Sequence, residues 1–207
     1  ETKTNFINEN QLLPIDALVA SQEVLETEEE ESYLIQADYV KPMGEAQFEA
    51  GFRGDYSDSF QDFLVSRQNL DTGNLEIDEN VSSSFDFQQY VTAVYSQYGN
   101  KFGDFSFLLG LRYENTQLKG NTTPRVPENF DRSFDFDKNF DGLFPTVNLV
   151  YELGEDENVT LGYNRRINRP RSWFLNPFPS QSSRTNVFQG NPDLNPAFAN
   201  AFDLGYL

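Results

Sequence analysis

The densest group of chemically capable side chains in this sequence is a cluster of arginines towards its end. Four of the fifteen basic residues, Arg165, Arg166, Arg169 and Arg171, fall within seven positions. Guanidinium groups bind phosphate and carboxylate through paired hydrogen bonds, so the cluster could hold an anionic ligand or a lipid phosphate. The alternative is that the arginines cross-link acidic side chains in a polar interior, and we favour this structural role.

A second candidate is a stretch of alternating oxygen-bearing side chains. Asp137, Asn139 and Asp141, followed by Gly142, match the first half of a calcium-binding loop. Such a loop needs a bidentate glutamate at its twelfth position, where this sequence has Asn148. We therefore expect a solvated loop that leads into a strand, and no metal site.

The composition excludes the commonest catalytic chemistries. The 207 residues include no cysteine and no histidine, so the chain has no thiolate nucleophile, zinc–thiolate site or histidine base. Carboxylates are too abundant for a pair of them to indicate a glycosidase, and no phosphate-cradling glycine motif occurs. We expect no catalytic residue and no cofactor. The net charge of −18 repels phosphate backbones, so nucleic-acid binding is not expected either.

Alternation of apolar and polar residues with a period of two predicts seven strands. In the clearest, 105–113, aromatic and leucine side chains share one face, whereas Arg112 and Glu114 belong to the other. The second clearest is 46–56. The five weaker strands are predicted at 33–39, 91–95, 145–153, 159–163 and 202–206. The acidic residues Glu26 and 28–31 are expected on a solvated loop just before the first of them.

The predicted connections alternate between short and long. Three short turns rich in glycine and acidic or amide residues are predicted at 41–44, 99–103 and 154–157. Three long polar links are predicted at 57–83, 116–139 and 167–196. In an antiparallel meander, all short turns would lie at one end of the sheet and all long links at the other. This asymmetry is typical of outer-membrane barrels.

The aromatic residues fit the same interpretation. Phe105 and Tyr113 bracket one apolar face, and a tilted strand of that length spans roughly 20 Å, close to the ~25 Å apolar band of a membrane barrel. We expect a lipid-facing set formed by Phe48, Phe52, Phe105, Phe107, Leu109 and Leu111. The charged neighbours Arg53, Arg112 and Glu114 are expected on the wet side.

Five sequence blocks occur in a fixed order. They are Gly110-Leu111-Arg112-Tyr113-Glu114, Leu143-Phe144-Pro145-Thr146, Arg165-Arg166-Ile167-Asn168-Arg169-Pro170, Leu175-Asn176-Pro177-Phe178 and Gly190-Asn191-Pro192-Asp193-Leu194-Asn195-Pro196. In order and approximate spacing, they resemble the C-terminal barrel segment of the Bacteroidota-type TonB-dependent outer-membrane receptors. The resemblance runs from about residue 48 to residue 207.

The resemblance implies an all-β fold, an antiparallel up-and-down meander that forms part of a transmembrane barrel in the outer membrane of a Gram-negative bacterium. It implies a barrel of about 22 strands, closed by an N-terminal plug and driven through TonB. We expect 1–207 to be one partial barrel without a plug domain. Its partners would be outer-membrane lipid, the rest of the receptor and an unknown imported ligand, with TonB reached only through the missing N-terminal part.

Most of the matching residues are expected to have structural roles. They are constant within the resembled family, whereas its ligands vary. The residues concerned are Arg165, Arg166, Asn168, Arg169, Pro170, Gly190, Asn191 and Pro192. The last three provide turn chemistry that returns a long loop to the final strand.

Two alternatives remain open at this point. One is a soluble or surface-exposed β-sandwich that binds glycan or protein, in which the Phe48 and Phe105 faces would pack on each other. The other is a small closed barrel with a structural role in the outer membrane, for which an eighth strand at 2–8 would be the sign. An enzyme built on the remaining side chains ranks last.

Overall fold

A computed structural model of the chain describes residues 2–8, 22–125, 133–183 and 186–207. Nearly all described residues are extended, in the strands β1 (Thr2–Asn8), β2 (Gln22–Met43), β3 (Ala46–Gln68), β4 (Leu75–Ile77), β5 (Ser83–Phe102), β6 (Phe105–Pro124), β7 (Phe134–Glu152), β8 (Asn158–Asn168), β9 (Ser180–Ser183), β10 (Asn186–Phe188) and β11 (Ala197–Tyr206). A single helical turn, α1 (Ser172–Leu175), follows β8. No helix in the described part of the chain is long and apolar enough to cross a membrane.

The long strands form one antiparallel meander. Their order in the sheet is β1, β2, β3, β5, β6, β7, β8 and β11, and the short β4 pairs with β3. Every pairing in this sheet is antiparallel, as expected for an up-and-down topology. The all-β fold class predicted from the alternation is therefore confirmed. The sheet is open, because β1 and β11 are its two edges.

Seven strands were expected, and the structure adds β1 as an eighth strand in the meander. Six of the seven predicted segments lie within strands, and the seventh, 145–153, extends one residue past the end of β7. β1 pairs with β2 from Thr2↔Glu28 to Asn8↔Gln22. An extra strand at this position was the sign expected for a small closed barrel. The sheet nevertheless stays open, so the described residues do not complete such a barrel by themselves.

The three short turns lie at one end of the sheet, as predicted. Register places Gln47 opposite Gly99 and Phe105 opposite Tyr151, so the turns before β3, β6 and β8 are neighbours. Gly44 and Gly103 have φ angles of 69° and 57°, the left-handed backbone that tight hairpins need and that glycine adopts without strain. We call this side the turn end and the opposite side the loop end.

Two of the three long links are much shorter than predicted, whereas the third, between β8 and β11, has about the predicted bounds. β3 continues to Gln68 and β5 begins at Ser83, while β6 continues to Pro124 and β7 begins at Phe134. The acidic run in β2 is also strand, paired residue by residue with β3, so its prediction as a loop is wrong. Where both faces of a strand are polar, apolar alternation disappears although the backbone ladder continues.

The two faces of the sheet differ as predicted. Leu109 and Leu111 are 47% and 49% exposed on one face, which we call the outer face. Glu114 is 6% exposed on the other, the inner face. Phe48 and Phe105 lie on the outer face of the same sheet and do not pack on each other across a core, in contrast to the β-sandwich alternative.

A row of tyrosines marks the outer face at the level where the apolar surface ends. The ring centroids of Tyr33 and Tyr56 are 6.2 Å apart, and those of Tyr56 and Tyr90 are 4.7 Å apart. The Tyr56 hydroxyl donates to Asp58, at 2.9 Å, on the polar extension of β3. Tyrosines with an apolar ring and a wet hydroxyl are characteristic of the membrane interface.

Candidate functional site

The inner face carries a buried carboxylate held between two arginines. Glu114 and Arg112 are two residues apart on β6, so both side chains point to the inner face. Nη2 and Nε of Arg112 lie 2.7 and 2.9 Å from Oε2 of Glu114. Arg169, just beyond the end of β8, forms an ion pair with the other oxygen, Oε1. Its Nε also donates to the hydroxyl of Thr116 at 3.0 Å.

This ion-pair group fixes where the chain goes after β8. A buried carboxylate requires compensation, and two guanidiniums supply it from different elements. The contact ties the residues after β8 to β6, although β7 lies between these two strands in the sheet. The arrangement therefore anchors the start of the loop 169–196 to the inner face.

A polar cavity of ≈ 270 Å³ lies beside this group, towards the turn end. Arg53 and Arg112 both line it, and the Arg112 guanidinium lies 5.8 Å from the ring centroid of Tyr95. Arg53 is paired with Asp55 at 3.1 Å, and the hydroxyl of Tyr95 bonds the carboxylate of Asp38. The charged residues of the lining are thus both arginines, and Asp55 and Asp38 contact lining residues without lining the cavity themselves. A polar interior is typical of an outer-membrane barrel.

The loop 169–196 folds inwards and packs on the inner face at the loop end. Leu175 of α1 is fully buried in a cluster with Phe85, Phe87 and Leu118, which lie on β5 and β6. Phe178 is also buried. The apolar residues that the loop contributes remove apolar surface of the wall from water, which stabilises the folded loop.

Gly190 allows two backbone segments of this loop to touch. Its N–H donates to the carbonyl of Asn176 at 2.8 Å, and the N–H of Asn191 donates to the carbonyl of Phe174 at 2.7 Å. A Cβ at position 190 would stand 2.6 Å from both carbonyl oxygens, closer than van der Waals contact permits. Only glycine fits this approach, so the Gly-Asn-Pro block shapes the inward loop as well as returning it to β11.

Asn191 and Pro192 lie in a hydrogen-bonded turn. The Oδ1 of Asn191 accepts the N–H of Asp193 at 2.9 Å, and its carbonyl accepts the N–H of Leu194 at 3.2 Å. Proline after asparagine presets φ for this turn. Their predicted role, the return of the loop to the final strand, stays a prediction.

The remaining arginines make separate contacts. Arg165 lies with its guanidinium carbon 4.8 Å from the ring centroid of Phe198. Arg166 donates to the amide oxygen of Asn164 at 2.9 Å. Asn168 ends β8 opposite Ala197. Arg165, Arg166 and Arg169 therefore do not converge on one ligand, and the structural role assigned to them stays a prediction.

The calcium-loop candidate lies within a strand. Asp137, Asn139 and Asp141 are alternate residues of β7, so an extended backbone separates neighbours in this set by about 6.6 Å. Gln117 donates to Asp137 at 2.9 Å, and Asn115 donates to Asn139 at 2.7 Å. The prediction of a solvated loop at these residues is therefore wrong. The described residues contain no group of three or more acidic side chains arranged to hold a metal.

Sequence reasoning missed a second cavity, which lies between the inward loop and the wall. It brings together Glu26 of β2, Gln61 of β3 and Trp173 of α1, residues far apart in the chain. Trp173 is the only tryptophan in the sequence, and its position in a long polar link was the one available clue. The contact itself depends on the inward folding of the loop.

Two structural neighbours are a transporter and an uptake receptor. The ferric citrate transporter FecA, solved in its unliganded form, matches with a TM-score of 0.50 and 12% identity over 74% of this chain and 22% of FecA. The ferric yersiniabactin uptake receptor FyuA from Yersinia pestis matches with a TM-score of 0.56 and 12% identity, over 75% of this chain and 24% of FyuA. This chain therefore spans about a quarter of the length of these neighbours. At this identity, the likeness shows a shared fold.

No curated protein matches the chain. A family model does match, and it covers residues 1–207 with the description "Outer membrane protein beta-barrel family". The motif resemblance, the apolar outer face and the asymmetric connections agree with this match. The chain belongs to the outer membrane protein beta-barrel family.

Proposed function

We propose that this chain is a wall segment of a TonB-dependent receptor that actively imports a ligand across the outer membrane of a Gram-negative bacterium. The observation that carries the proposal is the fold that the chain shares with two uptake proteins. The chain covers only about a quarter of either protein, and its sheet is open. The two edges, β1 and β11, leave backbone groups that hydrocarbon does not satisfy. Further strands of the same receptor would pair with them.

In this proposal the two faces have different partners. The outer face contacts lipid through residues such as Leu109 and Leu111. The inner face, with Arg53, Arg112 and Glu114, faces the plug and the path of the ligand. The turn end lies in the periplasm and the loop end outside the cell, as in other barrels of this type. The inward loop 169–196 narrows the external entrance.

The role we propose is binding and transport, without catalysis. Three charged groups of the inner face, those of Arg112, Glu114 and Arg169, are engaged with one another. Import would draw on TonB through a part of the receptor beyond this chain. The imported ligand would be recognised by loops and plug together.

Orientation can be tested by cysteine labelling, because the chain has no native cysteine. Single variants Asn195→Cys and Asp156→Cys of the full-length polypeptide, with any cysteine outside this chain replaced by serine, would be treated with a membrane-impermeant maleimide in intact cells. We expect labelling at 195 in intact cells, and at 156 only after the outer membrane is permeabilised. Labelling of both sites in intact cells would contradict the proposed orientation.

Transport can be tested without knowing the ligand. A strain lacking the gene and a strain lacking TonB would be compared with wild type on a panel of single carbon, nitrogen and iron sources. We expect the gene deletion to share at least one growth defect with the TonB deletion, restored by the intact gene. A growth defect that the gene deletion shows and the TonB deletion does not show would refute TonB dependence.

A further inference from the structure

The cavity between the inward loop and the wall has one acidic wall and one aromatic wall. Its volume is ≈ 100 Å³. The wall strands contribute Glu26, Gln61, Phe63 and Ser83, and the loop contributes Trp173, Asn176, Phe178 and Phe188. It lies at the loop end, the side from which an external ligand would arrive in the proposed orientation.

Glu26 is the charged group of this cavity. It lies on the inner face of β2, and burial, followed by the nearby charge of Glu28, raises the pKa of its carboxyl above the usual range. Among the residues whose side chains the structure describes, none forms a hydrogen bond or an ion pair with the carboxyl group of Glu26. The amide of Gln61, which lines the same cavity, donates to Glu28 at 3.1 Å instead. A partly desolvated carboxylate without a partner favours a cation in its vicinity.

The opposite wall presents aromatic rings. The ring centroids of Trp173 and Phe188 are 5.0 Å apart, and those of Trp173 and Phe174 are 3.7 Å apart. Trp173 remains 41% exposed and Phe188 38% exposed despite this clustering. The faces of aromatic rings carry negative charge density and attract cations, tryptophan most strongly.

We propose that this cavity binds one organic cationic group, a primary ammonium, of a ligand that enters from outside the cell. The carboxylate of Glu26 supplies the opposite charge, and Trp173 and Phe188 cover the apolar carbons next to the nitrogen. Drug-sized ligands occupy about 300–1,000 Å³, so a cavity of ≈ 100 Å³ holds one group of a ligand and leaves the rest outside. This inference rests on the proposed function, in that it names the class of ligand a receptor of this kind would take.

The probe is n-butylammonium chloride, titrated into the purified full-length receptor in detergent at constant ionic strength. The readout is the fluorescence of Trp173, with the Trp173→Leu variant subtracted as background. We expect a saturable change with n-butylammonium, and none with n-butanol or glucose at the same concentrations. The Glu26→Gln variant, which keeps the shape of the side chain, should bind about tenfold more weakly.

Glu29→Gln is the matched control. It removes the same charge from the same acidic run, but Glu29 belongs to the outer face of β2, so binding should equal that of wild type. Thermal unfolding of each variant would confirm that it is folded. Equal binding by wild type and Glu26→Gln, equal binding of n-butanol, or no saturable change in wild type would each overturn the proposal.

The outcome is separable from that of the proposed function. Binding to purified receptor requires neither TonB nor the proton-motive force. Failure of n-butylammonium to bind, together with a growth defect shared with the TonB deletion, would reject the cationic ligand and leave the import function standing. Binding without any such shared defect would reject import and leave the cation site standing.

Discussion

At the scale of single residues, the most consequential contact is the one that buries Glu114. Two arginines reach its two oxygens from β6 and from the residue after β8. Burial of a charge is costly unless it is paired, so the loss of either partner leaves an uncompensated group. The contact thus couples the direction of the chain after β8 to the inner face of the wall.

This pairing predicts a contrast among the arginine variants. In the full-length receptor, Arg169→Ala should lower stability by about 3–5 kcal/mol, because it leaves Glu114 with one partner in a buried position. Arg166→Ala, which loses one exposed contact with an amide, should cost less than about 1 kcal/mol. Denaturation of the refolded barrel would measure both. Unchanged stability of Arg169→Ala with loss of ligand binding would make the cluster a binding site.

Glu26 gives a pH-dependent prediction. Because burial raises its pKa in the folded protein, the folded state holds the proton more tightly than the unfolded state does. The stability gained from protonation is present at low pH and is lost as the pH rises through the raised pKa. Glu26→Gln should therefore be at least as stable as wild type at neutral pH, with the difference shrinking in acid. Thermal unfolding across that pH range measures it, and a destabilised Glu26→Gln at neutral pH would show that the carboxylate has a structural partner.

At the scale of elements, the loop 169–196 decides the shape of the loop end. It enters through Arg169, packs Leu175 into the cluster on β5 and β6, and closes on itself at Gly190. Each of these steps uses a residue from the blocks that the sequence singled out. A segment expected to be a long polar link is therefore a folded element with its own apolar contacts.

Gly190→Ala tests this element. Its added Cβ meets two backbone carbonyl oxygens, which do not move as freely as side-chain ends, so we expect a cost of roughly 1–3 kcal/mol and a displaced loop. Gly154→Ala is the control, since nothing lies within 4 Å of its Cβ position. Limited proteolysis of intact cells would report the displaced loop as new cleavage in 169–196. Equal resistance of both variants to the protease would mean that position 190 does not lie so close to the two carbonyl oxygens in the protein in cells.

At the scale of the whole molecule, the open sheet is the dominant feature. β1 and β11 present unpaired ladders at its two edges, and the apolar outer face is not covered by any other described element. A soluble protein with such a face would aggregate, whereas a membrane supplies the apolar surroundings it needs. The edges then require further strands.

We predict that residues 1–207 expressed alone do not form a stable barrel in detergent. The unpaired edges cost several kcal/mol per unsatisfied group in an apolar medium, so the chain should aggregate or remain protease-sensitive. The full-length polypeptide, refolded in parallel, should migrate in a heat-modifiable form on a gel. Heat-modifiable migration of the isolated chain would instead support the small closed barrel, for which β1 supplies the eighth strand.

The sequence by itself determined the faces of the sheet and the end at which each short turn lies. Both follow from local rules: side chains alternate along a strand, and glycine allows tight turns. It did not determine the full length of β2, because Glu28 lies on a stretch of that strand whose faces are both polar. Backbone pairing is the only signature of such a stretch.

Tertiary structure alone decided that Arg169 meets Glu114, that Leu175 packs on Phe85, and that Glu26 shares a cavity with Trp173. These partners are distant in the chain. Their contacts form because the inward loop buries its apolar side chains against the wall. No local periodicity encodes that fold-back. The physical reason is that long-range packing depends on the summed geometry of all strands, which no single segment contains.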